Sequence, residues 1–125
     1  TPCGTLFPYT TLFRSDNATK ICVASGFQTT DQDYLDLVKS EFISRLHEFD
    51  PDIILHLLGH DTAKYDYGSR GLSKQLFLDL VRLFEEYSTN THARYLINTH
   101  GGSNLQVCEY IFPKIIKILA EETTY

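Results

Sequence analysis

Residues 49–73 read FDPDIILHLLGHDTAKYDYGSRGLS, and this stretch decides the fold. Its residues 52–58 (DIILHLL) are almost wholly apolar, which is typical of a central parallel strand covered on both faces. The loop that follows, residues 59–72, is rich in Asp, His, Tyr and Gly, and Ser73 can cap a helix after it. The stretch therefore predicts a buried strand, a long polar loop and the start of a helix.

The alternation of apolar strands and amphipathic helices continues on both sides. Two further strands are predicted, at residues 20–25 (KICVAS) and 93–98 (ARYLIN). Helices are predicted from about residue 29 to residue 49, from residue 73, and from about residue 104, the last with a kink or break at Pro113. Right-handed crossovers between parallel strands place all strand C-terminal ends at one edge, where ligands bind in open α/β sheets. The predicted fold class is α/β, with three α/β/α layers around a parallel sheet.

Length and charge narrow the class of protein. A chain of 125 residues fits one small domain or a piece of one. Its 11 basic and 16 acidic residues give a net charge of −5, and the basic residues are scattered, which argues against direct nucleic-acid binding. No apolar run is long enough for a membrane span. The three cysteines, Cys3, Cys22 and Cys108, form no CxxC pair, which favours a reducing, cytoplasmic setting.

The first fifteen residues, TPCGTLFPYTTLFRS, differ in composition from the rest of the chain. Residues 5–15 resemble the translation of a sequencing-adapter oligonucleotide. We therefore interpret residues 1–15 as a non-native, disordered artefact segment and residues 16–125 as the native sequence. The alternative is a natural extended N-terminal arm.

Two motifs resemble the histone deacetylase family. Residues 49–73 are similar to the family segment in which a strand leads into a Gly-x-Asp-x-x-x-x-Asp loop, matched here by Gly59, Asp61 and Asp66. THGGSN, residues 99–104, is similar to the family's Gly-Gly turn, which carries a catalytic tyrosine where this chain has Ser103. The resemblance implies an arginase/deacetylase-like fold, with residues 16–125 as the C-terminal part of the domain.

The resemblance also implies a metal cofactor and a reaction. The family's enzymes use Zn²⁺, and Asp66 falls at the position of a zinc-ligating aspartate. A catalytic zinc takes three protein ligands and keeps one position open, and the other ligands of the family would lie upstream of this chain. The resemblance implies removal of an acetyl or similar acyl group from a small acylated amine or an acetylated peptide, in a prokaryotic-type branch. Because one ligand of three cannot hold zinc, we expect the isolated chain to be inactive.

The remaining site residues have competing interpretations. Asp61 is expected to shape the loop by accepting backbone N–H bonds, together with Gly59, Gly101 and Gly102. His60 and His100 replace residues common in the family, and each is either a ligand or proton carrier or a hydrogen-bonded wall residue. Ser103 is too short to reach a substrate oxyanion directly, so it acts through water or caps the last helix.

Two alternative functions stay open at this point. LINTHGGSN, residues 96–104, is similar to a turn of creatininase-like metal-dependent amidohydrolases. A non-catalytic α/β domain could instead hold an anion at the Gly-Gly turn, although the chain has no Gly-rich dinucleotide motif and no P-loop lysine.

Overall fold

The structure is a computed structural model that describes residues 29–121. Its elements in chain order are α1 (Asp31–Val38), a π-helical segment (Lys39–Ile43), α2 (Ser44–Phe49), β1 (Ile53–Leu58), α3 (Lys74–Thr89), β2 (Arg94–Thr99) and α4 (Leu105–Glu121). The strand predicted at residues 20–25 and the predicted artefact segment, residues 1–15, lie outside the described residues.

Local capping explains where the helices begin and end. The Thr30 hydroxyl accepts the N–H of Asp33 at 3.1 Å, and the Asp33 carboxylate accepts the N–H of Thr30 at 3.1 Å. This reciprocal capping box starts α1. At the other end, Asp50 takes a left-handed conformation (φ 53°) just after α2 and before Pro51. Ser73 caps α3 as predicted, by accepting the N–H of Gln75 at 3.2 Å.

The two described strands form a parallel sheet. Ile53 lies opposite Arg94, and Leu58 lies opposite Thr99, so both strands end at the same edge. Helix α3 connects the strands. The α/β class with a parallel sheet is therefore confirmed, and the strand bounds agree with the prediction to within one residue.

Only one face of this sheet is covered by the described residues. Ile54 is 9% exposed and Leu58 is 2% exposed, because their side chains pack against the helices. Ile53, Leu55 and Leu57 point the other way and are 57–60% exposed. The expectation of a strand covered on both faces is wrong for residues 29–121, since the described helices all pack on one side. The described architecture thus has two of the three predicted layers.

Helix α4 runs through Pro113 without a break, so the predicted break is wrong and the alternative, a kink, stays a prediction. Proline removes one N–H donor and leaves the carbonyl of Glu109 without its helical partner. Both residues are exposed, so water can solvate that carbonyl. Val107, Ile111 and Ile115 are buried along the opposite stripe, and their packing holds both halves of the helix in place. Within residues 29–121, no helix has the length and apolar character needed to cross a membrane.

The one-sided burial predicts unequal effects of two substitutions in β1. Leu58→Ala should lower the free energy of unfolding by about 2–5 kcal/mol, because it opens a cavity in the core. Leu55→Ala, three residues earlier on the exposed face, should cost less than about 1 kcal/mol. Urea denaturation of the 125-residue chain measures both. Equal losses would show that both faces of the sheet are buried in the folded chain.

Candidate functional site

The loops that leave β1 and β2 are joined side by side at the carboxyl edge of the sheet. The N–H of His100 donates to the Leu58 carbonyl at 2.9 Å, and the N–H of His60 donates to the Gly101 carbonyl at 2.7 Å. The parallel hydrogen-bond pattern thus continues past the last paired residues. It brings the Asp-rich loop against the Gly-Gly turn, as the shared sheet edge predicts.

Asp66 is the polar centre of this junction, and its side chain is fully buried. Its Oδ1 accepts the N–H of Tyr67 at 2.7 Å and the hydroxyl of Ser103 at 3.0 Å. Its Oδ2 accepts the N–H of Ser103 at 3.0 Å and the N–H of Asn104 at 2.9 Å. The structure therefore places the predicted residues Asp66 and Ser103 in direct contact.

These hydrogen bonds determine the charge of Asp66. Burial acts to raise the pKa of its carboxyl group, but hydrogen bonds from Asn104, Tyr67 and Ser103 outweigh it and lower the pKa to about 2. Asp66 is therefore ionised at neutral pH. Because an ionised carboxylate only accepts hydrogen bonds, the Ser103 hydroxyl must donate its single proton to it.

The same carboxylate occupies the N-terminus of α4. Asn104 caps the helix, with its Oδ1 accepting the N–H of Gln106 at 3.0 Å. The N–H groups of Ser103 and Asn104, which an anion at this turn would need, already donate to Asp66. A negative charge is favourable at this end of a helix. The alternative function, in which this turn holds an external anion, is therefore disfavoured. The N–H groups that would bind such an anion already donate to the Asp66 carboxylate.

A comparison with protein families adds independent information. The model of the histone deacetylase domain matches residues 4–119. The chain belongs to the histone deacetylase family. Comparison with curated proteins and with solved structures found no match. The family match favours the deacetylase interpretation of the loops after β1 and β2 over the creatininase-like one.

In this histone deacetylase family chain, His60 forms an inner wall of the site. It is 4% exposed, and its Nε2 lies 3.2 Å from the Cys108 sulfur and 3.6 Å from Oδ2 of Asp66. Cys108 is a contact that the sequence interpretation missed. Helical spacing could have predicted it. Cys108 lies four residues, or about one turn, after the cap Asn104 and therefore lies on the same side of α4.

Residue 102 must be a glycine because the His60 ring leaves no space for a side chain there. Its φ of +126° is unfavourable for residues with a side chain, and a Cβ at this position would lie 2.3 Å from the His60 imidazole. The buried ring has no room to move away. Because residue 102 is a glycine, the turn can pass directly over His60, and Ser103 lies within hydrogen-bond distance of Asp66.

Asp61 lies in a cage of glycine backbones. A Cβ added at Gly59 or Gly68 would lie 3.1 or 3.2 Å from an Asp61 carboxylate oxygen, and one at Gly101 would lie 3.4 Å away. Such close packing suits a residue that shapes the loop, and that role for Asp61 stays a prediction.

His100 contributes its backbone to the junction, whereas the residue itself is exposed. The structure does not bring its imidazole into the Asp66 cluster. The predicted catalytic role of His100 stays a prediction that no contact among residues 29–121 supports.

A zinc site needs more than the described residues provide. Among residues 29–121, no group of three or more His, Cys, Asp and Glu side chains is arranged to hold a metal ion. Both oxygens of Asp66 already accept hydrogen bonds from Tyr67, Ser103 and Asn104. The described residues therefore do not fit zinc by themselves, and a metal-ligand role for Asp66 stays a prediction.

The contact between Gly102 and His60 predicts a strong substitution effect. Gly102→Ala should destabilise the chain by about 2–4 kcal/mol, because backbone strain and a clash with a buried ring combine. Gly71, which is exposed and has φ +80°, is the matched control, and Gly71→Ala should cost only the strain, about 1–2 kcal/mol. Chemical denaturation measures both, and similar losses would contradict the proposed clash.

The pKa of Asp66 predicts how acid affects stability. Its folded pKa of about 2 lies below the usual value of about 3.9, so its contribution is complete above pH ~4 and is lost as pH falls through about 2. Asp66→Asn should lower the melting temperature at pH 7, and its difference from the unmodified chain should shrink between pH ~4 and ~2. Glu48→Gln, at an exposed carboxylate, is the control. A difference that does not depend on pH would contradict the account.

Proposed function

We propose that this chain is the C-terminal part of a zinc-dependent deacetylase domain. The reaction is hydrolysis of an amide that links an acetyl or similar acyl group to an amine, with acetyl-lysine and acetylpolyamine as the substrate class. The observation that carries the proposal is the contact of Asp66 with Ser103. It joins, at the carboxyl edge of the sheet, the two loops that resemble the family's metal and tyrosine loops.

The exposed sheet face supports the view that residues 16–125 are part of a larger domain. Ile53, Leu55, Leu57 and Leu96 are each more than half exposed on one side of the two strands. Burying an aliphatic side chain of this size stabilises a fold by about 1.5–3 kcal/mol. A further helical layer of the domain, covering these side chains, would complete the three-layer arrangement.

Zinc belongs to the proposal because the family is generally zinc-dependent. By the family resemblance Asp66 would supply one position in such a ligand set. It is buried and ionised in the loop after β1, and a metal there would replace at least one of its hydrogen bonds. The other ligands would come from the part of the domain outside this chain. On this basis the isolated 125-residue chain is inactive and binds zinc weakly or not at all.

The test compares the full-length protein with the isolated chain. The full-length protein, supplied with zinc, should release acetate from an acetyl-lysine peptide or from an acetylpolyamine, and the isolated chain should release none. Full-length Asp66→Ala should lose both bound zinc and activity. Full-length Asp79→Ala, a surface substitution on α3, is the control and should retain both.

Two results would contradict the proposed function. One is a zinc-loaded full-length protein that hydrolyses none of these amides. The other is full zinc content and activity in Asp66→Ala. Stoichiometric zinc binding by the isolated chain that disappears on changing His60 or His100 would instead indicate a self-contained metal site.

A further inference from the structure

Three aromatic rings meet between the two strands and α3, on the covered face of the sheet. The centroid of the His56 ring lies 5.3 Å from that of Phe84 and 6.0 Å from that of Tyr95. The Phe84 and Tyr95 centroids are also 6.0 Å apart. A hydrogen bond of 2.6 Å links His56 Nδ1 to the Tyr95 hydroxyl. Because His56 belongs to β1, Tyr95 to β2 and Phe84 to α3, this cluster connects all three elements.

The protonation states of the two partners determine the direction of this hydrogen bond. Burial, with a smaller contribution from the Glu85 carboxylate, raises the pKa of Tyr95, so its hydroxyl keeps its proton at neutral pH. Burial lowers the pKa of His56, so its ring is mainly neutral at the same pH. Within residues 29–121 the Tyr95 hydroxyl has no other hydrogen-bond partner, so it donates to Nδ1 of His56. The ring then carries its own proton on Nε2.

Protonation of His56 would disrupt this contact in two ways. A protonated imidazole carries hydrogens on both nitrogens, so the Nδ1 hydrogen would face the Tyr95 hydroxyl proton and the hydroxyl would lose its acceptor. A positive charge would also be placed on a partly buried ring, which costs free energy. Both effects favour the neutral ring in the folded chain.

The ionisable groups around the ring come from the elements packed against it. Tyr34 on α1 lines the same cavity as His56, and burial raises the pKa of Tyr34, so it is neutral. Glu85 on α3 acts on Tyr95, whereas the pKa of His56 is lowered by burial. The loop after β1 contributes Thr62, which is not ionisable. The cavity has a volume of about 110 Å³, which is large enough for water, so a proton can reach the ring.

We propose that the His56–Tyr95 hydrogen bond is an acid-sensitive joint, in which the neutral ring holds β1, β2 and α3 together and protonation of His56 loosens them. Because the folded-state pKa of His56 lies below its ordinary value of 6.5, the unfolded chain binds the proton first as the pH falls. The stabilisation by His56 is therefore complete above pH 6.5 and is lost as the pH falls from 6.5 through the folded-state pKa. Both strands end at the candidate site, so mild acid weakens the framework that positions its two loops.

NMR of the imidazole nitrogens in the 125-residue chain tests the hydrogen bond directly. At about pH 7.5, His56 should be the neutral tautomer with its proton on Nε2. Its titration midpoint should lie below 6.5. Tyr95→Phe keeps the ring and removes the hydroxyl, so the His56 midpoint should rise, because a donor to the neutral form is lost. His100 is exposed and serves as the internal reference, and it should titrate at the same pH in both proteins.

Thermal unfolding between about pH 5 and about pH 8 measures the consequence for stability. His56→Gln replaces the imidazole by a side chain that does not take up a proton. The melting temperature of the unmodified chain should therefore fall more steeply below pH 6.5 than that of His56→Gln. His100→Gln, at an exposed histidine, should keep the steeper fall. If His56→Gln does not fold, the double variant His56→Phe with Tyr95→Phe keeps both rings and removes both hydrogen-bonding groups together.

Several results would overturn the acid-sensitive joint. One is a His56 midpoint at or above 6.5, and another is a neutral ring that carries its proton on Nδ1. An unchanged His56 midpoint in Tyr95→Phe would exclude the hydroxyl from the joint and overturn it as well. So would the same pH dependence of melting in the unmodified chain and in the folded His56 variant. None of these measurements depends on amide hydrolysis, so this inference and the proposed function succeed or fail separately.

Discussion

The hydrogen bonds of the buried Asp66 carboxylate are the constraint on which the site depends. A buried ionised group is stable only when its lone pairs are satisfied, and here Tyr67, Ser103 and Asn104 provide the donors. These donors come from two loops that are far apart in sequence. The carboxylate therefore holds the loop after β1 against the turn after β2 and gives α4 a negative charge at its N-terminus.

The residues around this junction pack closely against it. The His60 ring fills the space beside the carboxylate and contacts Cys108 on α4. Gly102 is compatible with that ring only because it lacks a Cβ, and Gly101 leaves room for the Tyr67 phenol. The polar loop after β1 is thereby held in one arrangement against the turn after β2.

The positions of the strands and helices could be predicted from the sequence, because apolar runs and helix caps depend only on neighbouring residues. The apolar run 52–58 and the cap Ser73 predicted their elements correctly. Periodicity could not show that one face of β1 is open in the described residues, since that depends on which layers are present. It also could not show that packing on one stripe keeps α4 continuous through Pro113, or that Tyr67 reaches Gly101. Those contacts depend on tertiary packing. The shared sheet edge and the family motifs together predicted that Asp66 and Ser103 lie at one site.

The most direct test of the central claim is an NMR titration of the Asp66 side-chain carboxyl carbon in the 125-residue chain. The account predicts a midpoint near pH 2, with the amide protons of Ser103 and Asn104 shifting at the same midpoint, because they donate to this carboxylate. A midpoint at the ordinary aspartate value of about 3.9, with those two amides insensitive to the titration, would contradict it.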